Sequence, residues 1–142
     1  MFKKTALAFT LLGTSILGIA ATDASAAPAP PLSSLQVVKV ESQLGGVEYI
    51  GQNQLSTIKD HGGSYLYIST VEVGYGHLRY AEMNASRLTD KERMSLDFNG
   101  DRIVDGWEFK WDASGHEDGT FKYRNTSTNF PNNTLSTSLR IK

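Results

Sequence analysis

Asp97, Asn99, Asp101, Asp105 and Glu108 place oxygen-bearing side chains at positions 1, 3, 5, 9 and 12 of one stretch, Asp-Phe-Asn-Gly-Asp-Arg-Ile-Val-Asp-Gly-Trp-Glu. Calcium takes about six to eight hard oxygen ligands, and alternate residues of a tightly coiled loop can aim short side chains at one centre. Ile103, at position 7, would add its backbone carbonyl, and Val104, at position 8, would anchor the loop in the core. Position 6 is Arg102 rather than the usual Gly. The chain turns there with positive φ, so a side chain costs roughly 1 kcal/mol and weakens the affinity expected of the loop. Asn-Gly-Asp is also ordinary turn chemistry that needs no metal. Four nearby carboxylates nevertheless repel one another unless a cation relieves them, and this favours Ca2+ as the cofactor.

Other chemistry is sparse. His61, His77 and His116 are far apart in sequence, and the chain has no zinc-type His pair, no Gly-x-Ser-x-Gly elbow, no phosphate-binding loop and no cysteine. Asp60-His61-Gly62-Gly63 has a carboxylate beside an imidazole, but its composition is that of a turn, so no catalytic residue is assigned. Tyr65, Tyr67, Tyr75 and Tyr80 surround Gly74 and Gly76, where small residues leave room for exposed rings. These four tyrosines are the candidate ligand-binding surface. Trp107, Phe109 and Trp111 alternate strictly with Glu108, Lys110 and Asp112, which is the pattern of a strand facing a core.

The N-terminus places these elements outside the cell. Met-Phe-Lys-Lys is basic, residues 5–21 are apolar apart from small hydroxyl residues and Gly, and Ala24-Ser25-Ala26 offers small residues at both recognition positions of a cleavage site. A signal peptide over 1–26 is expected, with export and no stable membrane insertion. The formal charge of −1 draws the chain neither to nucleic acid nor to an anionic membrane. Small exported domains often rely on disulfides, so a cysteine-free one needs another source of stability, and an ion bound only by the folded state supplies it.

Residues 27–34, beginning Ala27-Pro28-Ala29-Pro30-Pro31, read as an extended, solvated segment. The folded domain is expected over 35–142. Leu35 to Glu41, Gly46 to Ile50, Ser64 to Val73 and Gly76 to Met83 are rich in Val, Ile, Tyr and Thr between turn residues. Thr89 and Glu92 have the spacing of a capping box, which predicts a short helix leading into Asp97. Trp107–Trp111 and Phe121–Tyr123 read as an antiparallel hairpin with one aromatic face, and Leu135, Thr137, Leu139 and Ile141 as a half-buried strand. The expected fold is mainly β: a single-domain antiparallel β-sandwich of about seven strands, with one short helix before the calcium-type loop.

The run Asp97–Glu108 resembles the calcium loops of dockerin and thrombospondin-type-3-like repeats. Dockerins use two copies, and only one is present here. Over its length the chain resembles the YolA-like secreted proteins of bacilli, through Leu-Gln-Val-Val-Lys-Val-Glu-Ser, Asp-His-Gly-Gly, Gly-Tyr-Gly and Trp-Asp-Ala-Ser-Gly followed by Gly-Thr-Phe-Lys-Tyr. That resemblance implies export and carries no activity. The expected function is a secreted, calcium-stabilised, non-enzymatic domain that binds an extracellular ligand such as a glycan or cell-surface polymer. A bacteriocin-like antimicrobial protein acting on a target-cell surface is the alternative, and a secreted hydrolase the third reading.

Overall fold

A computed structural model describes residues 29–142, so the expected signal peptide lies outside the described residues. The fold is mainly β, with nine strands: β1 (Ser34–Ser42), β2 (Gly46–Tyr49), β3 (Leu66–Val73), β4 (Leu78–Met83), β5 (Ser86–Arg87), β6 (Thr89–Leu96), β7 (Gly106–Asp112), β8 (Gly119–Ser127) and β9 (Asn133–Ile141). They form a five-stranded sheet of order β2-β1-β3-β7-β6 and a four-stranded sheet of order β5-β4-β8-β9. Every neighbouring pair is antiparallel.

Period-two alternation decides which residues enter the core. In β8, Phe121, Tyr123, Asn125 and Ser127 are buried while Lys122 and Arg124 are exposed. Val40, Leu66, Ile68, Phe109 and Trp111 of the first sheet share one apolar cluster with Ala81, Met83, Phe121, Tyr123, Leu139 and Ile141 of the second. Trp107 packs against its rim, so the Trp107–Phe109–Trp111 stripe faces the core as its alternation required. Trp111 keeps its polar atom satisfied, donating Nε1–H to Thr70 Oγ1 at 2.8 Å.

Two expected elements differ. Among the described residues there is no helix, and Thr89–Leu96 is the edge strand β6, paired with β7 from Thr89 opposite Asp112 to Leu96 opposite Gly106. Its apolar residues, Met94 and Leu96, are two apart, which suits a strand, and an isolated helix of that length is marginal in water. Nor do β7 and β8 form a hairpin. The connection over 113–118 carries the chain from one sheet to the other, so Lys110 reaches Glu92 of β6 at 3.3 Å rather than β8.

Of the segment expected to be extended and solvated, the described residues from Ala29 onward touch the domain, although Pro30, Ser33 and Ser34 stay exposed. Pro31 bridges to Tyr75, the Tyr75 N–H donates to the Pro30 carbonyl at 3.0 Å, and Leu32 is buried. Asn129 and Asn133 donate side-chain N–H groups to the Ala29 and Leu32 carbonyls at 2.8 and 2.6 Å. Gly74, at φ 85°, makes this approach possible, since a Cβ there would strike the Pro31 carbonyl.

Candidate functional site

The calcium-type loop joins β6 to β7. Gly100 and Arg102 both turn with positive φ, 75° and 70°, so the backbone takes the conformation expected at position 6 with a side chain in place. Asp97 accepts the Gly100 and Arg102 N–H groups at 2.7 and 2.8 Å, Asp101 accepts that of Ile103 at 2.7 Å, and Asp105 that of Phe98 at 2.7 Å. The Arg102 N–H foremost, with those of Gly100, Asn99 and Asp101, holds the Asp97 carboxyl below its ordinary range against the desolvation that would raise it. Asn99 Oδ1 accepts the Asp101 N–H at 3.0 Å. Glu108 lines a shallow hollow with Lys39, Glu92 and Lys110 on the outer face of the five-stranded sheet. Residue types and turn geometry fit an oxygen-ligand loop. The carboxylates themselves bond the loop's own backbone, and among the described residues no three acidic or histidine side chains stand close enough to hold a metal.

The four tyrosines occupy three places. Tyr65 and Tyr67 stack at 5.3 Å between ring centres on the five-stranded sheet, where Lys91 donates to the Tyr67 hydroxyl at 2.7 Å. Tyr75 lies beside the calcium-type loop and donates its hydroxyl to the Val104 carbonyl at 3.0 Å. Tyr80 is in β4, on the outer face of the four-stranded sheet.

That outer face is the candidate site. Antiparallel register lines up Leu78 with Thr126 and Thr134, Tyr80 with Arg124 and Ser136, and Glu82 with Lys122 and Ser138. Alternation turns all nine away from the core, because Arg79, Ala81 and Met83, then Phe121 and Tyr123, then Leu139 take the inward positions. A concavity of about 530 Å³ lies over Tyr80, Glu82, Lys122, Arg124, Ser136 and Ser138, with exposed Leu55 at its border. The Tyr80 ring is braced by two guanidiniums, Arg87 Cζ at 5.2 Å and Arg124 Cζ at 5.8 Å from its centre. One aromatic face, a row of hydroxyls and two cations beside a carboxylate can stack on and hydrogen-bond a polar, hydroxylated ligand.

Two buried polar clusters escaped the sequence. Ser42 Oγ is 2.9 Å from His61 Nδ1, and His61 Nε2 is 3.1 Å from Glu48 Oε2. The order serine, imidazole, carboxylate has the makings of a nucleophile and its base, but Ser42 is fully buried and accepts the Gly45 N–H at 2.9 Å. The cluster therefore ties β1, β2 and the 51–65 segment together. Burial would raise the Glu48 pKa; the Ile58 and Lys59 N–H groups, His61 and Gln54 outweigh it and lower it to about 2. Asp60, the carboxylate adjacent in sequence, is exposed, so the imidazole takes its partner from β2.

The second cluster centres on Glu72, fully buried on the inner face of β3. It accepts from Arg79 Nη2 at 2.6 Å and Nε at 3.2 Å, from the Tyr123 hydroxyl at 3.0 Å and from Asn125 Nδ2 at 2.5 Å. Desolvation first, then the Glu72 charge, pushes the Tyr123 phenol far up, keeping it a donor. A glutamate within a strand gives no periodic signal of such burial.

Residues 27–141 match the model of a family described as a domain of unknown function (DUF4879). No curated protein matches the chain.

Proposed function

The chain belongs to the DUF4879 family, and from its outer-face geometry we propose that it is an exported, non-enzymatic β-sandwich domain that binds an extracellular glycan or cell-surface polymer. The observation that carries this reading is the Tyr80 ring, braced by Arg87 and Arg124 and sharing an open concavity with the Ser136 and Ser138 hydroxyls two strands away. An open sheet face suits a long ligand that enters from the side, and an amphipathic ring held in place loses little entropy on binding. Two buried faces sharing one cluster support the sandwich architecture. The family match begins at Ala27, the residue that the expected cleavage makes first, which supports export.

The test uses protein recovered from culture supernatant, whose intact mass should correspond to a start at Ala27. Retention on insoluble cell-wall material and a panel of immobilised polysaccharides should fall at least tenfold for Tyr80→Ala, in line with the roughly 2 kcal/mol typical of a central aromatic contact. Tyr65→Ala, on the opposite sheet, should bind as the parent does. Equal binding by Tyr80→Ala would reject the site. Growth inhibition of other bacteria with no polymer retention would favour the antimicrobial reading instead.

Calcium is part of the same proposal. Asp97, Asn99, Asp101, Asp105 and Glu108, with the Ile103 carbonyl, would hold it, and the ion would stabilise the β6–β7 connection by binding only the folded state. Chelator is expected to lower the melting temperature and added calcium to restore it. Asp97→Ala should lose the response, and Arg102→Gly should enlarge it by removing a side chain from φ 70°. Identical melting curves with calcium and with chelator would leave residues 97–108 as a polar turn.

A further inference from the structure

At the other side of β4, between the two sheets, two arginines enter one groove, Arg79 from β4 and Arg93 from β6, while Arg87 of β5 stands at its rim with its guanidinium over the Tyr80 ring. The groove has a volume of about 440 Å³, with Phe109 and Trp111 among its lining residues. Arg79 Cζ and Arg93 Cζ lie 4.7 and 4.9 Å from the same Phe109 ring centre, so guanidiniums from opposite sheets converge on one aromatic side chain. Like charges brought together in this way repel unless something negative offsets them.

The protein offsets them incompletely. Glu72 neutralises Arg79 and fixes its plane through Nε and Nη2, leaving Nη1 without a hydrogen-bond partner among the described residues. Arg93 has only Asp90, at 3.3 Å in an exposed pair that solvent screens. Arg87 has no carboxylate within 4 Å among the described residues; its contact is with the Tyr80 ring. Asp90 is the sole acidic residue lining the groove. His77 adds a donor: its Nδ1 accepts the Thr128 N–H at 3.1 Å, which places the ring proton of the neutral form on Nε2.

We propose that this groove is an anion-binding site that takes an oxyanion, a carboxylate or a phosphate, borne by the extracellular ligand. Guanidinium presents a planar fork of N–H donors that matches both groups, and an aromatic wall behind it lowers the local dielectric and strengthens each charge-assisted bond. Arg79 is oriented before the ligand arrives, and Arg93 closes on it from the β6 edge. The groove meets the outer face of the four-stranded sheet at Arg87, and Arg93, which does not touch Tyr80, is the residue that separates anion binding from glycan stacking on that ring.

The experiment measures binding of the mature protein to long-chain inorganic polyphosphate, to polygalacturonate and to neutral dextran, each at low and at moderate salt. Expected is binding to at least one polyanion that is weakened by salt and exceeds any salt-insensitive binding to dextran; which polyanion binds more tightly identifies the phosphate or the carboxylate source. Arg87→Gln and Arg93→Gln should each weaken that binding about tenfold, the loss typical of one charge-assisted hydrogen bond, and both should retain the parent's melting temperature within a few degrees. Arg93→Gln is the more discriminating variant because Arg93 does not touch Tyr80. Lys59→Gln, a cation outside the groove, should bind as the parent does. Failure to bind either polyanion, parent-like binding by the double arginine variant, or an equal loss in Lys59→Gln would overturn the assignment.

Discussion

Glu72→Ala should destabilise the domain by about 3–5 kcal/mol in urea or thermal unfolding, a large share of the roughly 5–15 kcal/mol typical of such a domain. The carboxylate is fully buried and has four donor atoms from three side chains around it. Removing it leaves the Arg79 guanidinium, the Tyr123 hydroxyl and the Asn125 amide facing apolar walls, and each unmade bond costs more than a made one contributes. The pair should behave as a unit. Replacing Arg79 by Met in the Glu72→Leu background is expected to recover stability relative to Glu72→Leu alone, because it takes away the stranded charge. Tyr123→Phe, which removes one donor, should cost only about 1 kcal/mol. A loss below about 1 kcal/mol for Glu72→Ala would mean that the cluster is relaxed in solution and does not pin β3 to β4 and β8.

The second large effect is acid sensitivity set by Glu48. Its pKa falls from an ordinary 4.5 to about 2 on folding, so the unfolded chain binds the proton more readily than the folded one. The resulting stabilisation, roughly 3 kcal/mol, is fully present above about pH 4.5 and drains away as the pH falls towards 2. Glu48→Gln should therefore be less stable than the parent at neutral pH, and the two should converge as the pH is lowered through that window. Parallel stability curves between pH 5 and 2 would rule out this assignment. His61→Ala removes the imidazole that joins Ser42 to Glu48 and should cost about 2–4 kcal/mol through a cavity and two unpaired groups. Its ligand binding, measured on the folded fraction, is expected to remain that of the parent.

Much of the strand content was legible because alternation is a local signal. Phe121 and Tyr123 against Lys122 and Arg124, and Leu139 and Ile141 against Arg140, announce their faces within a few residues. The positive φ at Arg102 was legible from its place at position 6 of the calcium-type loop pattern, where the chain turns and Gly is usual. Sheet membership was not. Trp107–Trp111 and Phe121–Tyr123 carry matching patterns, and nothing local reveals that residues 113–118 cross the roughly 10 Å between sheets instead of folding back within one. The helix expected at Thr89 failed because a capping box rests on two residues, Thr89 and Glu92, and pairing along the whole of β7 outweighs it.

The candidate site was partly legible. Tyr80 was singled out with Tyr65, Tyr67 and Tyr75, but closeness in sequence does not survive the β3–β4 connection, which puts Tyr67 and Tyr80 on different sheets. Arg124, Ser136 and Ser138, which share the Tyr80 face, come from strands forty and more residues away. The buried carboxylates were invisible for a related reason: Glu72 and Glu48 are justified only by partners that the fold supplies, in Tyr123 and Asn125 fifty residues on and in the 51–65 segment.

β6 places Asp90, Lys91, Glu92 and Arg93 along an outermost strand, with a register shift between Asp90 and Glu92. Each of the other three sheet margins is blunted by its own device. β5 is two residues long, the Leu55–Thr57 backbone bonds along β9 at Arg140, and Lys59 Nζ donates to the Val47 carbonyl of β2 at 3.0 Å. An unguarded margin is a template on which a second copy can add its own strand and nucleate fibres. If the chain is exported unfolded, as proposed, then with no disulfides to fasten it, it is most exposed to that fate while crowded among its own copies. The charged segment that looked like the start of a helix is thus a guard against self-templating, and substitutions that make it apolar trade solubility for stickiness without touching the core.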